Sequence, residues 1–269
     1  MTPSGPAELF SPARFAFFRF IFGRHAARRL RAIRLAHWGA PRVEGGAGEK
    51  RGPLVIYANH PSWWDGVAFM ILSTELLPGR RMFIPMEAEA LSRYGFMRRL
   101  GVFGIEQQSA RGAVAFLRTA QSVLAEPGHM LWMNAPGRFC DVRERPVPIA
   151  PGLTRLAELA PDACFLPLAV EYPFWTEATP EMLAGFGPPI PAAELAALDR
   201  DARAERLRTA LEAVMDRLAA DAIARDPGRF RMVLEGRAGM GGIYQGWRQA
   251  RAALRGEAFD PRHDPRAGG

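Results

Sequence analysis

The sequence of 269 residues contains little cysteine and almost no lysine. Cys140 and Cys164 are its two cysteines, too few for a disulfide framework or a zinc ribbon, which favours a reducing compartment. Lys50 is the one lysine among 35 basic residues, a bias that we attribute to a GC-rich genome. The histidines other than His60 are scattered without the spacing of metal ligands. We therefore expect no metal site and no cofactor.

Long apolar runs are also missing. No stretch of about 18 uncharged apolar residues occurs, so we expect no ordinary membrane-spanning helix. The apolar segment over residues 15–22 is interrupted by Arg19 and flanked by Arg14 and Arg24. It lacks the uninterrupted core and cleavage site of a secretory signal. The sequence has no G-x-S-x-G elbow and no Walker or dinucleotide-binding glycine pattern, which argues against those nucleotide-binding and serine-hydrolase classes.

What the sequence does contain is typical of a folded, basic protein. It is 48% hydrophobic and 23% charged, a composition that can build a sizeable core. Its formal net charge is +7 and its pI is about 10.3, so an anionic partner fits the charge. No recognisable nucleic-acid-binding module appears, and we expect no nucleic-acid partner.

Apolar strand patterns alternate with helical patterns along the chain. Short apolar runs predict strands over residues 54–57, 81–85, 102–105, 130–133 and 165–170. Three-and-four spacing predicts helices over residues 64–77, 88–100, 111–124 and 194–224. This alternation predicts an α/β fold with a mostly parallel central sheet flanked by helices.

An N-terminal amphipathic helical element is predicted over residues 9–38. Its apolar stripe comprises Phe15, Phe18, Phe22, Ala26, Leu30 and Ile33, and Arg24, Arg28 and Arg31 fall along another side. Such a helix can lie in a membrane interface, or it can pack on its own domain with solvated arginines. We predict this element and a linker over residues 1–45, a main domain over 46–258 and a flexible tail over 259–269.

The segment YANHPSWWDG, residues 57–66, places His60 and Asp65 between two apolar runs. Ser62 and Asp65 have the spacing of a capping box at a helix start, which explains the serine and the aspartate but not the histidine. An imidazole held by a carboxylate is a natural base for a hydroxyl group near neutral pH. We therefore predict His60 as a general base and Asp65 as its orienting partner, the two candidate catalytic residues.

With Asn59, these residues form the pattern N-H-x-x-x-x-D, and the chain here resembles the glycerolipid (lysophospholipid or 1-acylglycerol-3-phosphate) acyltransferases. Three further blocks of that family have similar segments in the same order, and together the blocks cover residues 53–171. The second block is similar to GVFGIEQQSARGAVAFL, with Arg111 as its best-matched arginine. The fourth is similar to the apolar strand around Pro167.

The third block, usually F-P-E-G-T-R, is similar to residues 134–139, NAPGRF. Pro136 stands where the family has its glutamate. The resemblance implies that this loop helps to bind the acyl acceptor. We accordingly predict Asn59, Arg111, Gly137 and Arg138 as substrate-binding residues. Arginines of this loop can bind a phosphate, or they can simply be solvated.

The resemblance implies an enzyme of lipid metabolism that transfers a fatty acyl group from acyl-CoA or acyl carrier protein to a lipid hydroxyl. A lysophospholipid is the expected acceptor. Other acceptors that we consider are a glycolipid, a lyso-ornithine lipid or a glycosylated carotenoid, and a lipid-binding relative without turnover is a third interpretation. We expect the protein at a membrane lipid surface, peripheral or monotopic, on the cytoplasmic face; the sequence predicts no oligomeric state.

Overall fold

The computed structural model describes residues 5–41, 52–106, 109–237, 251, 254 and 255. It contains a nine-stranded sheet with the order β4-β3-β5-β2-β6-β7-β1-β9, and β8 pairs with β6. The strands are β1 Ala32–Ala36, β2 Leu54–Ala58, β3 Arg81–Glu87, β4 Val102–Ile105, β5 His129–Asn134, β6 Cys164–Glu171, β7 Glu181–Phe186, β8 Ile190–Pro191 and β9 Phe230–Glu235. The five strands from β4 to β6 are parallel, which confirms the predicted mostly parallel α/β sheet.

Helices cover both faces of this sheet. They are α1 Pro6–Leu9, α2 Pro12–Arg29, α3 Asp65–Leu76, α4 Ala88–Arg93, α5 Ala110–Leu124, α6 Pro151–Leu159, α7 Ala192–Ala196 and α8 Arg200–Ala224. Short 3-10 helices span His37–Gly39, Gly95–Leu100 and Pro227–Arg229. None of the helices in the described part of the chain is both long and apolar enough to cross a membrane.

Strand β2 shows how the sequence builds the two layers. Its side chains alternate, so Val55 and Tyr57 pack into the core beneath α5, α6 and α8. Leu54 and Ile56 pack into the opposite core, beneath α2 and α3. Both faces of the strand are therefore buried, as is usual for a central parallel strand.

The predicted N-terminal helix over residues 9–38 is wrong beyond Arg29. Residues 32–36 instead form β1, which pairs in parallel with β7 and antiparallel with β9. Arg31 is buried rather than solvated, and Arg34 forms a buried ion pair with Glu181 at 2.8 Å. These sheet pairings and the buried ion pair override a helical spacing that is only a local preference.

The apolar stripe of α2 faces the protein. Phe15, Phe18 and Phe22 pack against the core between α2, α3 and the sheet, which is the packing alternative for those residues. A different part of the helix is solvent-facing: Phe17 and Phe20 are each 58% exposed, and Ile21 is exposed as well. The rings exposed for contact with a membrane interface are therefore Phe17 and Phe20, whereas the predicted stripe is packed against the protein.

Other boundaries also differ from the prediction. The helix predicted over residues 88–100 is α4 followed by a 3-10 helix, and the one over 194–224 is interrupted between α7 and α8. Strands β7, β8 and β9 and helix α6 were not predicted. Residues 42–45 of the predicted N-terminal element and linker, and the predicted tail over 259–269, lie outside the described residues.

The sheet places the candidate residues at one edge. Strands β5, β2 and β6 are adjacent and parallel, with Ala58 in register with Asn134 and Leu168. The segments that follow these three strands therefore emerge at the same carboxyl edge, where open α/β sheets bind their ligands.

Candidate active site

His60 and Asp65 are in contact. Strand β2 ends at Ala58 and α3 begins at Asp65, and the turn between them folds the imidazole back onto the carboxylate. The Nδ1 atom of His60 lies 2.6 Å from Oδ2 of Asp65. Because an ionised carboxylate only accepts hydrogen bonds, Nδ1 is the donor, and Nε2 keeps its lone pair. The histidine side chain remains 17% exposed, so a substrate can approach it.

The carboxylate of Asp65 is fully buried and is held by two further donors. The backbone N–H of Ser62 donates to Oδ2 at 3.2 Å, and the hydroxyl of Tyr172 donates to Oδ1 at 2.8 Å. The predicted capping box does not form: α3 has Trp64 as its N-cap and no side-chain cap. The N–H that Asp65 accepts belongs to Ser62, in the turn before the helix. One carboxylate therefore holds both this turn and His60.

Asn59 ties β2 to β6. Its Nδ2 donates to the carbonyl of Val170 at 2.9 Å, and its Oδ1 accepts from the N–H of Val170 at 2.8 Å. The side chain is 2% exposed. Asn59 therefore extends the pairing of the two strands by one residue, directly before His60, and fixes the backbone from which the imidazole projects.

The loop after β5 covers one side of His60. Gly137 adopts φ +70°, a left-handed conformation that glycine accommodates without strain. Beyond this turn the N–H of Cys140 donates to the carbonyl of His60 at 2.9 Å. The contact brings the ring of Phe139 onto the imidazole, with centroids 4.2 Å apart and planes 25° apart. Phe139 is 58% exposed and forms an apolar wall beside the candidate base.

The arginines of this loop are each paired with a carboxylate. Arg138 binds both oxygens of Glu144, and this hydrogen-bonded ion pair raises the pKa of Arg138. Arg143 binds Asp141 through two hydrogen bonds, and Arg145 binds Asp216 of α8 at 2.6 Å. An anionic ligand would have to compete with these carboxylates.

Arg111 lies on a different helix, α5. It is exposed in the first turn of α5, whose N-terminus is capped by Ser109 accepting from the N–H of Gly112 at 2.8 Å. Strand β4, which precedes α5, is separated from β2 by β3 and β5. Three strand spacings separate the axes of β4 and β2 by roughly 14 Å, so Arg111 follows a strand that is not adjacent to the one before His60.

Two residues of this site were not predicted, Phe139 and Tyr172. Phe139 is the last residue of the segment similar to the third block, and Tyr172 directly follows strand β6. Within residues 5–41, 52–106 and 109–237 no group of three or more histidine, cysteine, aspartate or glutamate side chains is placed to hold a metal ion.

Comparison with protein-family models matches the region that contains the four blocks. Residues 40–171 match the family model described as acyltransferase. This range contains His60, Asp65 and the loop after β5, and Tyr172 directly follows it. No curated protein matches the chain. The protein belongs to the acyltransferase family, of the glycerolipid acyltransferase type, and is an acyltransferase enzyme.

Proposed function

We propose that the protein is an O-acyltransferase that moves a fatty acyl group from acyl-CoA or acyl carrier protein to the hydroxyl of a lysophospholipid-type lipid. The observation that carries this proposal is the 2.6 Å contact between His60 and Asp65. It occupies Nδ1 and leaves Nε2 of a partly exposed imidazole available to a substrate.

The reaction needs one base and no protein nucleophile. Nε2 of His60 takes the proton of the acceptor hydroxyl while the hydroxyl oxygen attacks the carbonyl carbon of the thioester. A carbon–oxygen bond forms, the carbon–sulfur bond breaks, and the thiolate leaves with the proton returned from the imidazolium. Asp65 holds the imidazole in the correct tautomer and stabilises the imidazolium, the role that a carboxylate has in other histidine-based sites.

A product analysis tests this proposal. The purified protein is incubated with a long-chain acyl-CoA or acyl carrier protein thioester and a panel of lysolipids, and thiol release is followed together with the mass of the lipid product. We expect thiol release that requires the acceptor lipid. We also expect a lipid product whose mass exceeds that of the acceptor by one acyl group. Absence of acylated product with every acceptor, in protein that is folded, would instead support a lipid-binding relative without turnover.

A second acceptor class is favoured by the ion pairs of the loop. The guanidinium groups of Arg138, Arg143 and Arg145 already bind Glu144, Asp141 and Asp216. With its nearest arginines occupied and an apolar ring at Phe139, the site also suits a lipid hydroxyl without a phosphate, such as that of a glycolipid, lyso-ornithine lipid or glycosylated carotenoid. Acceptors matched in acyl chain but differing in the phosphate distinguish the two classes.

We also propose that the enzyme works on the cytoplasmic face of the membrane, bound peripherally or monotopically. The support for membrane binding is the exposed apolar surface of α2 formed by Phe17, Phe20 and Ile21. Arg24 lies over the ring of Phe20, with its guanidinium carbon 5.7 Å from the ring centroid. Aromatic rings beside an arginine suit the boundary between acyl chains and anionic headgroups.

A further inference from the structure

Tyr172 reaches the candidate site from a distant part of the chain. It directly follows β6 and is separated from Asp65 by 107 residues. Its side chain packs into the core shared by α2, α3 and the sheet, and its hydroxyl ends 2.8 Å from Oδ1 of Asp65. The tyrosine therefore connects the carboxyl end of β6 to the first residue of α3.

The three contacts of the Asp65 carboxylate divide between its two oxygens. Oδ2 accepts from Nδ1 of His60 and from the N–H of Ser62, whereas Oδ1 accepts from Tyr172. The tyrosine therefore fixes the rotation of the carboxylate from the side opposite the histidine. Without that donor, the buried Oδ1 of Asp65 loses its hydrogen bond from Tyr172. The carboxylate then gains freedom to turn.

We propose that Tyr172 is a positioning residue for the acyl-transfer reaction, which holds the Asp65 carboxylate in the rotamer that orients His60 and sets its strength as an acceptor. This inference rests on the proposed function, because it requires His60 to act as the base.

The tyrosine can serve only as a donor under working conditions. Burial raises the pKa of Tyr172 well above its usual value, and the neighbouring Asp65 charge raises it further. The phenol therefore stays protonated. A hydrogen bond from this neutral group draws charge from the carboxylate, so it limits how strongly the carboxylate stabilises the imidazolium of His60.

The substitution Tyr172→Phe removes one oxygen from this arrangement. Loss of a hydrogen bond to a charged group typically corresponds to about tenfold or more, so we expect kcat to fall by about tenfold with both KM values within about twofold. The carboxylate then keeps more charge for the imidazolium, so the acidic limb of the kcat/KM profile moves to higher pH. Two other titratable side chains lie beside this arrangement: His25 of α2 stacks on Trp64, next to Asp65, and Glu171 of β6 directly precedes Tyr172.

Tyr57→Phe is the matched control. Tyr57 is fully buried, whereas Tyr172 is half-buried. The Tyr57 hydroxyl donates to a backbone carbonyl, that of Leu207, at 3.3 Å. The two variants lose the same atom from the same protein, but only Tyr172 touches Asp65. A purely structural tyrosine would lower activity in proportion to lost stability and leave the pH limb in place. We expect Tyr57→Phe, but not Tyr172→Phe, to lose activity only in proportion to stability and to keep the wild-type acidic limb.

A second measurement applies if Tyr172→Phe does not fold. The chain has four tyrosines, and global labelling with 3-fluorotyrosine preserves their shape while making each phenol a stronger donor. The acidic limb should then move to lower pH, and the same labelling of Tyr57→Phe should give the same movement. An unmoved limb in both labelled proteins contradicts a role for Tyr172.

The variant His60→Ala, assayed alongside, separates this inference from the proposed function. If His60→Ala keeps near-normal turnover, the proposed base is wrong. If His60→Ala is inactive but folded Tyr172→Phe has the wild-type kcat and pH profile, the proposed function stands and the positioning role of Tyr172 is overturned.

Discussion

The ring of Phe139 lies against the imidazole of His60, with centroids 4.2 Å apart. Because this ring limits the rotation of the imidazole, Phe139→Ala should lower kcat/KM by about tenfold, since small misplacements of a reacting group are costly. The ring is 58% exposed, so the free energy of unfolding should change by less than about 1 kcal/mol. Kinetics and denaturant unfolding of the same preparation measure both quantities.

Phe17→Ala is the control for that experiment. Phe17 is also 58% exposed, but it lies on α2 and contacts Phe18. A short-chain acceptor below its micellar concentration removes any contribution of membrane attachment. Equal activity losses in the two variants would show that the contact between Phe139 and His60 has no special effect.

The ion pair between Arg138 and Glu144 gives a test of acceptor class. If Arg138 binds a phosphate, Arg138→Ala should raise the KM of an anionic acceptor by about tenfold and leave that of a neutral acceptor unchanged. Glu144→Gln should have the opposite effect and lower the KM of the anionic acceptor, because it releases the guanidinium. Unchanged KM values for the anionic acceptor in both variants would favour the neutral acceptor class.

The exposed surface of α2 makes a prediction about membrane binding. Phe17→Ser combined with Phe20→Ser should reduce co-sedimentation with anionic vesicles, and the loss should persist at high salt because the apolar contribution is not screened. Phe18→Ser combined with Phe22→Ser should instead lower the free energy of unfolding, by about 2 kcal/mol or more, because those rings are packed.

Full-chain variants are required for that experiment. A chain that begins near residue 41 lacks β1, which lies between β7 and β9 in the sheet, so it is expected to misfold rather than merely to detach. Binding unchanged by the Phe17 and Phe20 substitutions, in folded protein, would place the attachment surface elsewhere.

Burial raises the pKa of Glu171, an effect that Arg145 partly opposes. A carboxyl group with a raised folded pKa stabilises the protein below its unfolded pKa, about 4.3, and that contribution is lost as pH rises through the folded pKa. Glu171→Gln should therefore raise the unfolding temperature at about pH 8 and have little effect near pH 4.

Glu158→Gln should show the reverse pH dependence. Hydrogen bonds from Arg203 and Arg155 lower the pKa of Glu158, so its contribution is present at neutral pH and lost on acidification. Thermal unfolding of both variants across this range measures the difference. Parallel curves for the two variants would mean that the burial of Glu171 has no effect on stability.

The sequence predicts the centre of this fold better than its edges. Strands β2, β5 and β6 are continuous apolar runs because both of their faces are buried, and that pattern is visible locally. Strand β1 is different: it contains Arg34, whose charge is compensated by Glu181 from a distant strand. No local pattern reveals that partner, and the helical spacing of the preceding residues extends into the strand.

In the candidate site, too, contacts between residues close in the sequence can be predicted and contacts between distant residues cannot. His60 and Asp65 are five residues apart, so a single turn brings them together and their spacing could be interpreted directly. Tyr172 lies 107 residues from Asp65, and only the pairing of β2 with β6 places it there. Asn59 was predicted to bind substrate, whereas its amide bonds to Val170; a sequence does not show whether an amide faces a ligand or a neighbouring strand.

The most direct test of the proposed catalytic base is the turnover of His60→Ala. Removal of a general base typically lowers the rate by roughly a hundred- to ten-thousand-fold, so we predict at least a hundredfold loss of acyl transfer in protein with a wild-type unfolding temperature. His25→Ala is the control, because His25 stacks on Trp64, next to Asp65, and should keep its activity. Near-normal acyl transfer by folded His60→Ala would show that His60 is not the catalytic base.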